Sequence, residues 1–257
     1  MGTLENIVAI ITGGVRNIGR ATSVLFAKEG AQVVVFDIDK EDGTAIRDLN
    51  LAISQFGKKL IYIKVDVTNL TEVQSAVEET ITSFGRVDVL VNIVGGGKPA
   101  GPLEDLGEKD WDWTINLNLK GTYNCTHAII KYMKQQKKGK IINFSSIAGR
   151  SNSDVSSLPY ACAKAGVLGF TRQLAHEVGP YGINVNAIAP GNTEREDKPS
   201  KWDDRPEEEK KKMLESIPLR RRARPDEIAA VAVFLASENS SYITGATIDV
   251  NGGRFTI

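Results

Sequence analysis

Residues 7–19 read IVAIITGGVRNIG, an apolar run that leads directly into a glycine-rich loop. The run from Ile7 to Thr12 is rich in β-branched residues and predicts a buried strand, and a helix-period pattern begins at Ile18. In such a loop the backbone N–H groups and the helix N-terminus can bind a pyrophosphate, and small residues allow the close approach. The alternative is a merely tight turn between a strand and a helix.

An acidic residue further along the chain favours the first interpretation. Asp37 ends the second predicted strand about 20 residues after the loop, where a carboxylate can bind both ribose hydroxyls of an adenosine. A tight turn alone would not require a carboxylate at that position. The two features together therefore indicate a dinucleotide site.

Two residues disagree over which dinucleotide binds. Arg16, in the loop, can approach the 2′-phosphate of NADP, whereas Asp37 would face that phosphate at close range. Like charges in a partly dry site repel by several kcal/mol on the scale of roughly 332/(εr), while the long Arg16 side chain can turn to solvent or pair with Asp37. No cation follows at Ile38. The sequence therefore predicts NAD, with NADP less favoured.

Short apolar runs alternate with longer helix-period segments along the whole chain, which is typical of a parallel sheet covered on both faces. The predicted strands are Ile7 to Thr12, Gln32 to Asp37, Leu60 to Asp66, Val87 to Asn92, Lys140 to Ser146, Ile183 to Ala189 and Thr247 to Val250. The predicted helices are Ile18 to Glu29, Glu41 to Phe56, Thr71 to Phe84, Glu108 to Gln136, Leu158 to Val178 and Pro225 to Ala236. With right-handed crossovers these elements form a doubly wound, seven-stranded α/β Rossmann fold, and we expect one domain over residues 1–257.

Composition narrows the class of partner. Lys+Arg and Asp+Glu both number 32, so no net field favours nucleic acid or an anionic membrane, and a small molecule is the expected partner. Only Cys125 and Cys162 occur, without paired spacing, which predicts a reducing cytoplasm rather than a disulfide framework. No basic region followed by a long apolar stretch opens the chain, and no segment reaches the roughly 18 apolar residues of a membrane span.

Ser146, Tyr160 and Lys164 form the candidate chemical group. If Leu158 to Val178 is one helix, Tyr160 and Lys164 lie one turn apart on the same face. The ammonium favours the phenolate, and an oxidised nicotinamide adds a second positive charge, so we expect the pKa of Tyr160 to fall from about 10 toward neutrality. Ser146, at the end of an apolar strand, can hydrogen-bond a substrate oxygen. The alternative is a capped strand end followed by an ordinary surface Tyr-Lys pair.

Polar and glycine-rich residues also mark the third and fourth predicted strands and one helix. Asp66-Val67-Thr68 can meet an adenine edge or begin a helix as an N-cap motif. The three glycines of Val91 to Gly97 allow the backbone to pass close to a ligand, although a flexible turn would need them equally. Asn116 and Asn118 lie inside a predicted helix, where Asn is a poor residue, so a specific role there is expected.

The remaining reactive side chains show no constellation. Neither His127 nor His176 has a His, Cys or carboxylate at metal-ligand spacing, so both are interpreted as core or surface residues and no metal site is predicted. Nothing near Cys162 supplies a base, and we interpret it as a packing residue.

The segment after the sixth predicted strand is long and dense in alternating charge. We predict a substrate lid over residues 192–216, in which Trp202 is the one large anchor. The following run, Arg220 to Arg222, is either a phosphate-binding patch or, as a neutral chain favours, a solvated helix start or a subunit contact.

Taken together, these motifs resemble the short-chain dehydrogenases/reductases from end to end, in a pattern similar to the 3-oxoacyl-carrier-protein reductases. The resemblance rests on the Thr12 to Gly19 loop, on Asn92 to Gly95 where the family has N-N-A-G, on the Tyr160/Lys164 pair and on Pro190-Gly191. Ile243 to Gly245 and Asn251 to Gly253 resemble the carboxyl-terminal pattern of the family.

The resemblance implies hydride transfer between nicotinamide C4 and a carbinol or carbonyl carbon. It implies that Tyr160 is the acid/base, that Ser146 steadies the substrate carbonyl, that Lys164 binds nicotinamide ribose, and that Asn118 holds a water in a proton relay. The expected cofactor residues are Gly13, Arg16, Asn17, Ile18, Gly19, Asp37, Ile38, Asp66, Val67, Asn92, Val94, Gly95, Tyr160, Lys164, Pro190, Gly191 and Thr193. The alternative is a nucleotide sensor or scaffold of the same fold.

The chain departs from the family pattern at several positions. Asn17 replaces the second loop glycine, and Asn tolerates left-handed backbone better than most residues. Ile93 and Val94 replace the second Asn and the Ala, the spacing from Ser146 to Tyr160 is one residue longer than usual, and Arg195 lies where a threonine often follows Pro-Gly. By analogy with the family, the helices Glu108 to Gln136 and Leu158 to Val178 are expected to pair in a homotetramer.

Overall fold

The computed structural model describes residues 2–41, 43–98, 101–152, 156–195 and 202–256. They contain a seven-stranded, fully parallel sheet with the order β3-β2-β1-β4-β5-β6-β7. The strands are β1 (Val8–Thr12), β2 (Gln32–Asp37), β3 (Ile61–Lys64), β4 (Val89–Asn92), β5 (Gly139–Phe144), β6 (Ile183–Pro190) and β7 (Thr247–Val250). The predicted doubly wound, single-domain α/β fold is confirmed, although the third strand is shorter than the predicted Leu60 to Asp66 and the fourth begins later than Val87.

Eight α-helices occur in the described residues and cover both faces of the sheet. They are α1 (Asn17–Lys28), α2 (Thr44–Ser54), α3 (Leu70–Phe84), α4 (Glu108–Ile115), α5 (Gly121–Gln136), α6 (Leu158–Val178), α7 (Glu207–Glu215) and α8 (Pro225–Ala236). Helix α1 packs against α2 and α8, whereas α3 packs against α5 and α4 against α6. Among the described residues, none of these helices is long and apolar enough to cross a bilayer.

Two hydrophobic cores follow from the alternation of side chains along each strand. In β1, Ile11 belongs to the core that includes Phe26 of α1 and Ile228 of α8, while its neighbour Ile10 belongs to the core that includes Ile129 of α5. Successive strand residues point to opposite faces, so a strand buried on both faces must be apolar throughout. Burying each such large side chain contributes roughly 1.5–3 kcal/mol, which explains why the strands read as unbroken apolar runs.

The helix predicted over Glu108 to Gln136 has the expected extent but is not continuous. Helices α4 and α5 are separated by a π-helical turn, Asn116–Lys120. Within it, the Asn118 amide nitrogen donates to the carbonyl oxygens of Thr114 at 2.8 Å and Gly96 at 2.7 Å. A side chain that bonds the preceding turn and an adjacent loop widens the helix locally, and such turns concentrate at functional sites.

Helix α7 lies within the predicted lid and was not predicted. Its sequence has no apolar stripe, which is the pattern by which helices are recognised. Ion pairs stabilise it instead, from Glu207 to Lys210 and from Glu208 to Lys212, and its first turn carries acidic residues that favour the helix dipole. The lid over residues 192–216 stays a prediction, and residues 196–201 within it lie outside the described part of the chain.

The sheet order places a crevice at the carboxyl ends of the strands. Chain order reverses between β1 and β4, which are paired so that Thr12 is the register partner of Asn92. The loops that follow these two strands lead to opposite faces of the sheet and separate, and such a switch point is where open α/β sheets bind ligands.

Candidate active site

A cleft of about 1130 Å³ lies at this switch point. It is lined by residues at the carboxyl ends of six strands: Gly13 after β1, Asp37 at the end of β2, Asp66 after β3, Val94 after β4, Ser146 after β5 and Gly191 after β6. The parallel sheet therefore brings to one edge motifs that are far apart in the sequence.

The glycine-rich loop packs too tightly for larger residues at its key positions. A Cβ atom at Gly19 would lie 1.8 Å from the Gly13 carbonyl oxygen, and one at Gly14 would lie 2.7 Å from the Ser23 hydroxyl. Gly13 has a φ of 65°, and Asn17 has a φ of 48°. Asn17 therefore adopts the left-handed backbone that the sequence permits, and the loop keeps its turn despite the missing glycine.

The N-terminus of α1 lies at this loop, and its first backbone N–H groups have no partner within the helix. Its N-cap residue, Arg16, makes no side-chain capping bond, and its first turn contains no acidic residue. Such an end carries a partial positive charge and unsatisfied donors, so it suits an anion. Together with the room left by Gly13 and Gly19, this arrangement fits the pyrophosphate of a dinucleotide.

The Asp37 carboxylate is oriented by backbone donors. Its Oδ1 accepts a hydrogen bond from Ile38 N at 2.8 Å and its Oδ2 one from Val15 N at 3.3 Å. Burial raises the pKa of Asp37, the two backbone N–H groups act in the opposite direction, and the charge of Asp39 adds to the rise. Arg16 pairs with Asp39, through Nη2 at 2.8 Å and Nε at 3.0 Å, which was not among the partners expected for it.

The Asp66-Val67-Thr68 turn serves the cleft rather than the helix cap. The N-cap of α3 is Asn69, whose side chain accepts from Thr71 N and Glu72 N. Asp66 accepts from Thr68 N at 2.9 Å and from its hydroxyl at 2.7 Å, which closes a local turn. Asp66 and Val67 line the cleft.

Tyr160 and Lys164 lie one turn apart on α6, as the sequence predicts. The buried Lys164 Nζ donates to the Phe144 carbonyl oxygen at 2.8 Å and lies 5.7 Å from the centroid of the Tyr160 ring. Burial lowers the pKa of Lys164 to about 8. Burial raises the pKa of Tyr160, and a hydrogen bond with the Ser146 hydroxyl opposes that rise.

The expected lowering of the Tyr160 pKa therefore does not occur in the protein alone. Desolvation disfavours the phenolate and the ammonium alike, and the ammonium is directed at a carbonyl oxygen rather than at the phenol oxygen. Any fall toward neutrality must come from a further positive charge in the cleft. The phenol is thus held in its protonated form.

The two serines after β5 make different contacts. Ser145 is buried, and its hydroxyl donates to the Lys164 carbonyl oxygen at 2.8 Å, which ties α6 to the strand. Ser146 lines the cleft and accepts from Ala148 N at 3.2 Å. The orientation of the Ser146 hydroxyl proton therefore depends on the Tyr160 phenol and on any ligand bound beside it.

Asn118 is fully buried and does not line the cleft. Its Oδ1 accepts from Gly96 N at 3.1 Å, and its amide nitrogen bonds Gly96 O and Thr114 O. A Cβ atom at Gly95 would lie 2.7 Å from Asn118 Oδ1 and 2.8 Å from Lys164 Nζ, so only glycine fits between them. The Asn118 side chain thus holds the glycine turn beside Lys164.

Asn92 is placed in a similar way, inside the sheet. Its amide nitrogen donates to Asn143 Oδ1 at 2.9 Å and to the Thr126 hydroxyl at 3.3 Å. It is the one residue of the expected cofactor set that does not line the cleft. The others do: Gly13, Arg16, Asn17, Ile18, Gly19, Asp37, Ile38, Asp66, Val67, Val94, Gly95, Tyr160, Lys164, Pro190, Gly191 and Thr193.

The structure adds cleft residues that were not in the expected site set. They are Lys98, Trp113, Trp202, Arg205, Met213 and Arg222, of which Trp202, Arg205 and Met213 lie in the predicted lid and Arg222 in the predicted arginine run. We call these residues, with Tyr160, the arginine half of the cleft, and Gly13, Gly19 and Asp37 the glycine half. A signal was available at Trp202, the one large side chain in a charge-dense stretch, but nothing in the sequence pairs it with Arg222.

The histidines and cysteines, for which no chemical role was predicted, differ in their burial. His127 and His176 are exposed on helices, which agrees with a surface role. Cys162 is exposed, so its interpretation as a packing residue is wrong, whereas Cys125 is buried. Cys162 follows Tyr160 by two positions on α6, which turns it to another face of the helix than the one that Tyr160 and Lys164 share.

Comparisons with known proteins agree with this geometry. The sequence matches the enoyl-(acyl carrier protein) reductase family over residues 13–254. It is 41% identical over 251 residues to (2S)-[(R)-hydroxy(phenyl)methyl]succinyl-CoA dehydrogenase subunit BbsD of Thauera aromatica, covering 98% of this chain and 97% of that protein. It is 40% identical over 250 residues to 3-oxoacyl-[acyl-carrier-protein] reductase FabG of Thermotoga maritima, covering 97% and 98%.

A solved structure shows the same fold. The crystal structure of levodione reductase matches with a TM-score of 0.89 and 30% identity over 98% of both chains. Fold, cleft and sequence together define a dinucleotide-binding oxidoreductase. The chain belongs to the short-chain dehydrogenase/reductase family, and it is similar to the 3-oxoacyl-[acyl-carrier-protein] reductases within it.

Proposed function

We propose that the protein transfers a hydride between NAD(H) and a secondary alcohol or ketone, with Tyr160 as the acid/base and with Ser146, Lys164 and Asn118 in supporting roles. The observation that carries this is the convergence of Ser146, Tyr160 and Lys164 in the same cleft as the glycine-rich loop. A nucleotide sensor would need the loop but not the buried ammonium beside the phenol.

The residues present suit NAD(H) along the length of the cleft. The loop and the α1 N-terminus would hold the pyrophosphate, Asp37 the adenosine ribose hydroxyls, and Asp66 and Val67 the adenine edge. Lys164 would hold the nicotinamide ribose, with Pro190, Gly191 and Thr193 at the nicotinamide. When bound, the cofactor supplies or accepts a hydride at nicotinamide C4.

Tyr160 handles the proton of the reaction. In the reducing direction its phenol donates a proton to the substrate oxygen, which the Ser146 hydroxyl steadies. The raised pKa of Tyr160 keeps that proton in place at neutral pH. Oxidation of an alcohol requires the phenolate, so we expect the oxidising direction to be favoured as the pH rises.

Lys164 links proton transfer to binding. Its pKa of about 8 leaves it largely protonated at neutral pH, and its ammonium is directed by the Phe144 carbonyl oxygen. The charge lies 5.7 Å from the centroid of the Tyr160 ring, close enough to stabilise a phenolate formed during the reaction. Asn118 holds the Gly95-Gly96 turn against Lys164. Its role in holding a relay water, which the family resemblance implies, stays a prediction.

The preference for NAD over NADP rests on charge at the end of β2. Arg16, the residue that would attract a 2′-phosphate, pairs with Asp39. The Asp37 carboxylate is held at the cleft by two backbone N–H groups and cannot withdraw. Ile38 is 65% exposed and offers the phosphate no positive charge. Repulsion by Asp37, with Arg16 occupied by Asp39, supports NAD as the cofactor.

Incubation with NAD and a panel of secondary alcohols, followed by the absorbance of the reduced cofactor, tests the proposal. Cyclic alcohols, hydroxyacyl thioesters and sugar alcohols should be included, since the pocket loops vary most within such folds. We expect NAD-dependent turnover of at least one class. NAD binding without turnover on any of them would favour a sensor instead.

We also propose that the protein works in the cytoplasm as a homotetramer with a lid over residues 192–216. Large apolar side chains exposed on α4 and α5, including Trp111 and Tyr123, support an assembly through these helices. Light scattering at working concentration should show a tetramer, and a monomer would rule the assembly out.

A further inference from the structure

Three consecutive arginines precede α8, and their surroundings differ. Arg220 donates to the Glu215 carbonyl oxygen, and Arg221 forms a two-bond pair with Glu227, at 2.6 and 2.7 Å. Arg222 instead lines the cleft, half-buried, with its guanidinium carbon 4.4 Å from the centroid of the Trp202 ring. Within the described part of the chain, Arg222 forms no ion pair.

The position of Arg222 is fixed by backbone hydrogen bonds. Its neighbour Ala223 donates to the Asn192 carbonyl oxygen at 2.9 Å and accepts from Glu194 N at 2.9 Å, so that Thr193 and Ala223 form a parallel bridge. This bridge attaches the arginine to the segment that follows β6. Stacking on Trp202 then limits the side chain, so the guanidinium is oriented before any ligand arrives.

Other cations line the same half of the cleft. Arg205 N bonds the Trp202 carbonyl oxygen at 3.1 Å, which places Arg205 beside the stacked pair, and Arg195 follows Glu194. On another wall, Lys98 Nζ lies 5.1 Å from the centroid of the Trp113 ring. Arg205 pairs with Glu209 at 3.2 Å and Lys98 with Asp110 at 3.7 Å, so their charges are partly neutralised. Arg222, stacked on Trp202, is therefore the cation of the arginine half best placed to meet an anion.

The cofactor does not account for a cation at this place. Its pyrophosphate is expected at the loop after β1, and β1 and β6 are three positions apart in the sheet. At a strand spacing of about 4.8 Å, this is a separation of roughly 14 Å. The nicotinamide end of NAD carries no phosphate, so the substrate is left as the partner of Arg222.

We propose that Arg222, held against Trp202, binds an anionic group of the substrate, a carboxylate or a phosphate, at a point remote from the carbon that reacts at Tyr160. This rests on the proposed function, and it names the class of substrate: a ketone or alcohol that carries a negative charge. A guanidinium suits both groups because its planar donors match two oxygens at once.

Paired substrates test the charge. The first pair is a methyl-ketone carboxylate and its methyl ester, over a series of increasing chain length, and the second is a hydroxyketone and its phosphate monoester. We expect the wild type to prefer the anion of at least one pair, and Arg222→Gln to lower kcat/KM for that anion about ten- to a hundredfold while the neutral partner changes less than about twofold. The pair that responds distinguishes carboxylate from phosphate.

The neighbouring arginine provides a matched control. Arg221→Gln removes an equal charge one residue away, outside the cleft, and should leave both members of each pair unchanged. Arg222→Lys keeps the charge without the planar fork and should recover part of the preference for the anion. Equal losses on anion and neutral partner in Arg222→Gln, or no preference for an anion in the wild type, would overturn the proposal.

A binding measurement separates this inference from the proposed function. Calorimetric titration of the NAD-loaded protein with the same carboxylate and phosphate should show binding that Arg222→Gln weakens and Arg221→Gln does not, even if no ketone is reduced. A weaker affinity for NAD itself in Arg222→Gln would assign the arginine to the cofactor and contradict the proposal.

Discussion

The two halves of the cleft are built from different parts of the polypeptide. The glycine half is made mainly of backbone: a loop in which Gly19 has no room for a side chain, the N-terminus of α1, and one carboxylate oriented by backbone N–H groups. The arginine half is made of long side chains, such as Arg222 on Trp202 and Lys98 over Trp113.

This difference separates the features that dinucleotide-binding folds share from those that are specific to this chain. A pyrophosphate is met by backbone groups that every sequence possesses, provided that glycines let it approach. A substrate is met by side chains on irregular segments, which vary without disturbing the sheet. The glycine half therefore relates the chain to its family, and the arginine half is where we propose that the substrate is recognised.

The largest expected effect comes from removing the phenol oxygen of Tyr160 in the arginine half. We predict that Tyr160→Phe lowers kcat about 10²–10⁴-fold and leaves NAD affinity within about twofold, since the change removes only the group that carries the proton. Steady-state kinetics and NAD titration measure the two quantities. Lys164→Ala should damage both, because it also removes the ribose contact. Equal and modest losses in the two variants would contradict the assigned roles.

The second prediction concerns the stability cost of the buried ammonium. Burial lowers the pKa of Lys164 from 10.5 to about 8, so between these values the unfolded chain binds more protons than the folded one. Stability therefore rises with pH in this window, by about 3 kcal/mol in total, and the penalty is fully present below pH 8. Lys164→Met should lack this rise.

Urea unfolding across the same pH window, on wild type and Lys164→Met without cofactor, measures the difference. Other groups titrate alike in the two proteins, so the difference between their free energies of unfolding isolates Lys164. Parallel curves would mean that the ammonium is not desolvated.

The third prediction tests the one side chain on which the glycine half relies. We expect the wild type to prefer NAD over NADP by about a hundredfold in kcat/KM, and the double variant Asp37→Ser, Ile38→Arg to lose most of that preference. Asp39→Asn, which removes the partner of Arg16, should give a smaller shift in the same direction. Equal values for the two cofactors in the wild type would mean that Asp37 is not at the ribose.

The pH dependence of that preference has a definite sign. Burial raises the pKa of Asp37, so acidification neutralises this carboxyl sooner than an exposed one. The preference for NAD should narrow as the pH falls, because a neutral carboxyl no longer repels a phosphate. A preference that widens on acidification would contradict the assignment.

The smallest effect is expected from adding one methyl group to the glycine half. Gly19→Ala places a Cβ atom 1.8 Å from the Gly13 carbonyl oxygen, so the loop must shift. We predict a loss of about 1–3 kcal/mol of stability together with weaker NAD binding. Gly179→Ala is the control, since its Cβ atom would meet nothing within 4 Å. Thermal unfolding and NAD titration should leave the control unchanged; a similar response of both variants would show that close packing of the loop is not the cause.

The sequence predicted the elements whose patterns are local. Unbroken apolar runs identified the strands, and the periodicity of α6 placed Tyr160 and Lys164 on one face. It missed α7, whose stability comes from ion pairs rather than an apolar stripe. It also treated α4 and α5 as one helix, because the π-helical turn depends on the bond from Asn118 to Gly96, a residue distant in the chain.

Sequence alone determined the order of the elements, the glycine loop, the acidic residue that follows it and the residue types proposed to carry the chemistry. These depend on backbone sterics and on spacing within a few turns of chain, which are visible without a fold. The tertiary structure decided which charges meet. It placed Arg16 against Asp39, directed Lys164 at a carbonyl oxygen, raised the pKa of Tyr160 by burial and brought only Arg222 of three arginines into the cleft. Desolvation and pairing are properties of a packed interior, so no pattern along the chain contains them.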